Sequence, residues 1–244
     1  MAWFEELGFG ENPFSTDVRV SARSSVGLDR QLSELGYLVG SGAFVFVEGA
    51  AGSGKSVLLE LISLRLGRRC VRVDFSGGHA DLRSVVRKRT SFLSRIFGSA
   101  PRGLVLLADN VRGVDLESLE LLKYFYDNDV FGSVVLAGES FKVAGLSSAI
   151  LGRIGSRVVR VVHPTEEEAV AIVRNRLGSS AILGDSAVRR IYSMARGDLR
   201  KFLRMCESAC ETAVASKSSS VAEEHLASLE EPLAKRGKGS AATG

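Results

Sequence analysis

The eight residues Gly49-Ala50-Ala51-Gly52-Ser53-Gly54-Lys55-Ser56 constrain this chain more than any other stretch. They fit G-x-x-x-x-G-K-S, and the setting fits too: the apolar run AFVFVE (43–48) precedes them and a leucine-rich stretch follows. Glycines in a strand-to-helix loop let the backbone wrap closely around phosphate and turn its N–H groups inward. The helix N-terminus adds partial positive charge. Lys55 is then expected to reach the β- and γ-phosphates of ATP and Ser56 to ligate Mg2+. Val57, on the same helical turn, completes the expected nucleotide-binding set.

The rest of the chain supplies the frame such a loop needs. Strand-like runs at 43–48, 70–75 (CVRVDF), 104–109 (LVLLAD), 133–138 (SVVLAG) and 157–162 (RVVRVV) alternate with helical stretches near 55–66, 80–97, 116–127 and 140–152. That rhythm predicts an α/β fold, a five-stranded parallel sheet with helices on both faces. After Pro164 the strand-like runs stop. Thr165 followed by Glu166, Glu167 and Glu168 reads as a capped helix start, and helices are expected near 165–177, 185–195, 198–216 and 220–229. The organisation expected is an α/β domain over 1–163, with an entry segment 1–42, then an all-helical domain over 164–230. A tail, 231–244, is expected to be disordered. In the entry segment Asn12-Pro13-Phe14-Ser15 reads as a turn, and Leu28, Leu32, Leu35 and Leu38 have helical spacing.

Bulk properties narrow the class. With 244 residues, 45% hydrophobic and 25% charged, the chain reads as globular. No stretch approaches the roughly 20 apolar residues that span a bilayer. The start, Met1-Ala2-Trp3-Phe4, lacks the basic and apolar regions of a secretion signal. Cys70, Cys206 and Cys210 are odd in number and scattered, which points to a reducing cytoplasm and to small core residues rather than disulfides or a metal site. The net charge of +4 permits polyanion binding without demanding it.

The run LVLLAD delivers Asp109 at the C-terminal end of an apolar strand, where a carboxylate suits Mg2+. Motif order and the helical C-terminal region, from about residue 9 to 216, resemble AAA+ P-loop ATPases. FGENPFS (9–15) and VLAGES (135–140) are similar to secretion and transposition ATPases of the ExeA and TnsC kind. The segments 156–177 and 197–213 resemble initiator ATPases of the origin-recognition type. The resemblance makes the helical domain a lid and implies further roles. Asn110 stands where these proteins usually carry a glutamate that polarises the attacking water. An amide orients water but accepts no proton, so slow hydrolysis to ADP is expected. Glu139 or Ser140 would fall in the sensor-one region. Arg157, or second Arg153, resembles the finger reaching a neighbouring subunit's nucleotide in a homo- or hetero-oligomer. Arg200 matches the sensor-two arginine of the lid. Pro13, Phe14 and Val26 are candidate adenine contacts, with core packing as the alternative.

Residues 80–102 carry Arg83, Arg87, Lys88, Arg89, Arg95 and Arg102 against Asp81. Related initiators and transposition ATPases place DNA near this stretch, and such a row neutralises phosphates without reading sequence. The leading expectation is an ATP-binding molecular switch with slow hydrolysis, assembling on DNA or a DNA-bound partner in replication, transposition or a related transaction. The alternatives are a nucleotide-responsive protein adaptor, for example in secretion, that makes no DNA contact, and a degenerate ATPase that binds nucleotide structurally.

Overall fold

The structure, a computed structural model, describes residues 2–89 and 102–230. Along the chain its helices are α1 Trp3–Glu6, α2 Val18–Arg23, α3 Asp29–Gly40, α4 Lys55–Leu66, α5 Leu82–Arg89, α6 Leu116–Asp127, α7 Ser148–Ile154, α8 Glu166–Leu177, α9 Asp185–Ala195, α10 Leu199–Ala215 and α11 Glu223–Glu230. The chain divides into two compact units, one formed by Val18–His163 and the other by Met1–Asp17 together with the chain from Pro164 onward.

The first unit is α/β. Its strands are β1 Phe44–Glu48, β2 Cys70–Asp74, β3 Leu104–Asp109, β4 Phe131–Gly138 and β5 Val158–Arg160. They form one parallel sheet in the order β2-β3-β4-β1-β5. Successive side chains point to opposite faces. Phe44 and Phe46 join a cluster with Leu82 and Val86 of α5, Leu119 and Leu122 of α6, and Ile150 and Ile154 of α7. Val45 and Val47 join Leu32, Leu35 and Val39 of α3 and Leu58, Leu59 and Ile62 of α4. Both faces are covered, so the strands read as unbroken apolar runs rather than alternating ones. Where one helix is expected near 140–152, the chain makes a short 3-10 turn, Phe141–Val143, and then α7. Gly145, at φ +71°, lies between them in a conformation that would interrupt a continuous helix.

The second unit is helical. Thr165 and Glu168 form the reciprocal cap of α8, and Asp198 caps α10 by accepting from the Arg200 and Lys201 amides. Sequence spacing assigns residues 1–17 to the α/β domain; in the structure they group with the helices instead. Trp3 stacks on Phe14 with ring centroids 6.1 Å apart, and Asn12 Nδ2 donates to Glu207 of α10. Arg176 of α8 donates to the Pro13 and Ser15 carbonyls, each at 2.9 Å. Burial pulls the Arg176 pKa down to about 10, so it stays cationic at neutral pH. The remainder of the stretch near 80–97, with Arg95, and the tail 231–244 lie outside the described residues.

Candidate nucleotide site

The phosphate loop leaves the C-terminal end of β1 and runs into α4, so every N–H of the first helical turn points out along the helix axis toward the loop. Backbone geometry explains its glycines. Gly52 and Gly54 have φ of +71° and +103°, which side chains resist. A methyl on Gly49 would meet the Val161 carbonyl oxygen and, at 2.6 Å, Ser53 Oγ. Lys55 Nζ donates back to the carbonyls of Gly49 (2.7 Å) and Ala50 (2.8 Å). Ser53 Oγ is buried without a hydrogen-bond partner among the described residues. Glycines where the loop turns or packs closely, with an ammonium over it and an unmatched hydroxyl, fit a phosphate chain. Ser56 and Asp109 offer hydroxyl and carboxylate oxygens, the donors Mg2+ prefers.

β3 ends one strand away from the loop, across β4. Its last residue, Asp109, accepts the Asn110 amide at Oδ1 (2.9 Å). Asn110 turns with φ +55° and donates from Nδ2 to Asp74 Oδ1 (3.0 Å). Asp74 ends β2 in register with Asp109, and its Oδ1 also accepts the Ser76 amide (2.8 Å). The bond from the Asn110 side chain, above all, holds the Asp74 carboxyl below its usual pKa. Sequence reading missed Asp74, although CVRVDF delivers it at a strand end by the same logic that found Asp109.

Glu48, also missed, closes the base of the loop. One of its oxygens accepts the Phe141 amide (2.9 Å) and the other pairs with Arg160 Nε (3.3 Å). It thereby joins the ends of β1 and β5 to the chain after β4. Glu139 is exposed there, while Ser140 Oγ accepts the Lys142 amide as a local cap (3.3 Å).

The two finger candidates differ. Arg153 is clamped to Asp127 by three bonds, from Nε (3.2 Å) and Nη2 (2.9 Å) to Oδ1 and from Nη2 to Oδ2 (2.8 Å), and donates to the Ala149 carbonyl. Arg157 is exposed and rests on the Arg153 carbonyl at the end of α7 (3.0 Å). In the helical unit Arg200 is exposed on the first turn of α10. Phe14 is fully buried and Pro13 is buried with it, so both sit in packing rather than at an open face. Val26, half-buried, lies between α2 and α3.

On α5, Leu82 and Val86 face the core and Arg83, Arg87 and Lys88 are exposed. Arg89 is exposed as well, and its Nη2 donates to the Cys70 carbonyl (2.9 Å).

The sheet order, the glycine loop after β1 and the acidic end of β3 give this chain the fold of the AAA+ P-loop ATPases. Solved structures place that fold among particular relatives. The Aeropyrum pernix Orc1 protein, solved in complex with DNA, is 17% identical and superposes with a TM-score of 0.69 over 88% of this chain and 67% of its own. Cdc6p from Pyrobaculum aerophilum is 15% identical with a TM-score of 0.65, covering 89% of this chain and 69% of its own. The RuvB Holliday junction branch migration motor of Thermotoga maritima is 19% identical with a TM-score of 0.64, covering 85% and 72%. This chain therefore spans about two thirds of the length of such proteins. No protein-family model matches the sequence, and no curated protein matches it either. Among the described residues no helix is long and apolar enough to cross a membrane.

Proposed function

We propose that this chain is an ATP-binding AAA+ switch with slow hydrolysis that serves a DNA-linked process and assembles on DNA or a DNA-bound partner. The observation that carries the reading is the phosphate cradle between β1 and α4, with Asp109 at the end of β3. Lys55 would hold the β- and γ-phosphates, and Ser56 and Asp109 would hold Mg2+, whose charge would offset that of the phosphates. Asn110 would orient the water without taking its proton. The DNA link draws on relatives whose structures are described with DNA or as a branch migration motor, and on the exposed cations of α5. Isothermal calorimetry with a non-hydrolysable ATP analogue tests it. Wild-type protein is expected to bind and Lys55→Ala to bind far more weakly; equal affinity would remove the site from this loop.

A further inference from the structure

Charge is unevenly spread around the β2 edge of the sheet. The chain carries no aspartate or glutamate between Glu60 and Asp74, or between Asp81 and Asp109. The strands are parallel, so Asp74 and Asp109 end β2 and β3 on one side, and Cys70 and Leu104 begin them on the other. That second side is basic. Arg65 lies in the last turn of α4, the short 3-10 turn Gly67–Arg69 contributes Arg68 and Arg69, α5 ends in Lys88 and Arg89, and Arg102 leads into β3. All six are exposed.

Two hydrogen bonds gather these elements at one corner. Arg69 Nη2 donates to the Gly103 carbonyl (3.4 Å) and Arg89 Nη2 to the Cys70 carbonyl (2.9 Å). A carbonyl holds a guanidinium without neutralising it. Arg65, Arg68, Lys88 and Arg102 have no acidic partner among the described residues. By contrast, Arg72, Arg153, Arg160 and Arg174 each pair with a carboxylate. Cations brought together without counter-charge repel one another, and an external polyanion relieves that repulsion.

We propose that this corner is a second DNA-contact surface, which holds phosphate backbone beyond the stretch met by Arg83 and Arg87 of α5. The inference rests on the DNA link proposed above and extends it to residues outside α5. Five of the six cations are arginines, whose planar forks match phosphate oxygens and stay charged across the physiological pH range. Among the described residues of these elements Leu64, 66% exposed, is the one large exposed hydrophobic side chain. A lipid surface needs more apolar area beside its charges, whereas a phosphate backbone needs none. The corner is also remote from the phosphate loop. At about 1.5 Å of rise per residue, α4 carries the chain roughly 17 Å from Lys55 to Leu66. Its contribution to DNA binding is therefore the same with and without nucleotide.

Arg65 and Arg68 are the residues to change, because they hold no hydrogen bond among the described residues, whereas Arg69 and Arg89 secure the corner. The test is fluorescence anisotropy on labelled duplexes of unrelated sequence across a salt series, with and without a non-hydrolysable ATP analogue. Arg65→Ala combined with Arg68→Ala is expected to reduce the slope of log affinity against log salt by about two units per subunit. At low salt it is expected to weaken binding about tenfold or more, with melting temperature and nucleotide affinity unchanged. Arg65→Lys combined with Arg68→Lys keeps the charge and is expected to keep the slope. The proposal is overturned if the alanine pair binds with wild-type affinity and slope, if the lysine pair loses as much as the alanine pair, or if wild-type protein sediments with phosphatidylserine vesicles but binds no duplex. An unaffected alanine pair beside a weakened Arg83→Ala, Arg87→Ala protein would defeat the corner and leave the DNA link standing. Wild-type protein that binds no duplex at low salt would defeat both.

Discussion

Arg153 and Arg157 stand four residues apart, yet their surroundings separate them. Arg153 is used within the chain, clamped by Asp127 across α6 and α7, whereas Arg157 only caps the last turn of α7 and remains exposed. Arg153→Ala is therefore expected to lower the stability of the α/β unit by about 0.5–1 kcal/mol, the range of a partly exposed ion pair, as read by urea denaturation. Arg157→Ala is expected to leave that stability unchanged and to suppress ATP-analogue-dependent assembly in light scattering, if Arg157 is the finger. The family resemblance pointed to both, because the partner of Arg153 lies on another element and no local pattern displays it. The glycine loop between β1 and α4 was legible as a strand-to-helix turn because its geometry comes from one run of the chain. The strand-end position of Asp74 was open to the same reading as that of Asp109, but its bond to Asn110 and that of Glu48 to Arg160 depend on strand register, which no local pattern displays.

At the scale of elements, the strands were readable as unbroken apolar runs because both faces of the sheet are covered, and most helices because each buries one face. The Phe141–Val143 turn was not: the Glu48 carboxylate holds the Phe141 amide, a contact from far along the chain. For α5, Arg83→Ala combined with Arg87→Ala is expected to weaken binding equally on unrelated DNA sequences. It should reduce the slope of log affinity against log salt by about two units per subunit and leave nucleotide affinity unchanged. Fluorescence anisotropy across a salt series measures this. No binding to any DNA at low salt with ATP analogue present would favour the protein-adaptor reading. In the helical unit, Thr165→Ala removes the cap of α8 and is expected to cost about 1 kcal/mol in chemical denaturation.

For the molecule as a whole, acid is an informative probe. Asp74 is held below its usual pKa chiefly by the Asn110 side chain, and Asp115 chiefly by the Ser118 amide. Their folded pKa values lie below the unfolded ones, so the stability they contribute is present above about pH 4 and is lost as pH falls through the folded values. Asp115→Asn is expected to shallow the fall of melting temperature below pH 4. The cysteines report on the two units separately. Cys70 is buried in the α/β unit and Cys206 and Cys210 in the helical one. Burial raises all three thiols, Cys210 to about 12, so little thiolate forms at neutral pH. Alkylation followed by peptide mass spectrometry is expected to be negligible in the native protein. Under rising urea it should show whether Cys70 and the Cys206–Cys210 pair become reactive together or in sequence.

The grouping of Met1–Asp17 with the helices after Pro164 also bears on how the chain matures on the ribosome. Asn12, Pro13 and Ser15 are made before the α/β unit, but the helices that receive them, α8 and α10, are made only after the whole of that unit has been synthesised. The α/β unit has all of its strands available by then and is free to fold during elongation, while the opening segment waits with its aromatic side chains unshielded. Closing that separation carries the entropic cost of a long loop and makes the helical unit the late-forming part of the molecule. Nascent-chain proteolysis at successive lengths is expected to show protection of residues 18–163 before any protection of the first seventeen.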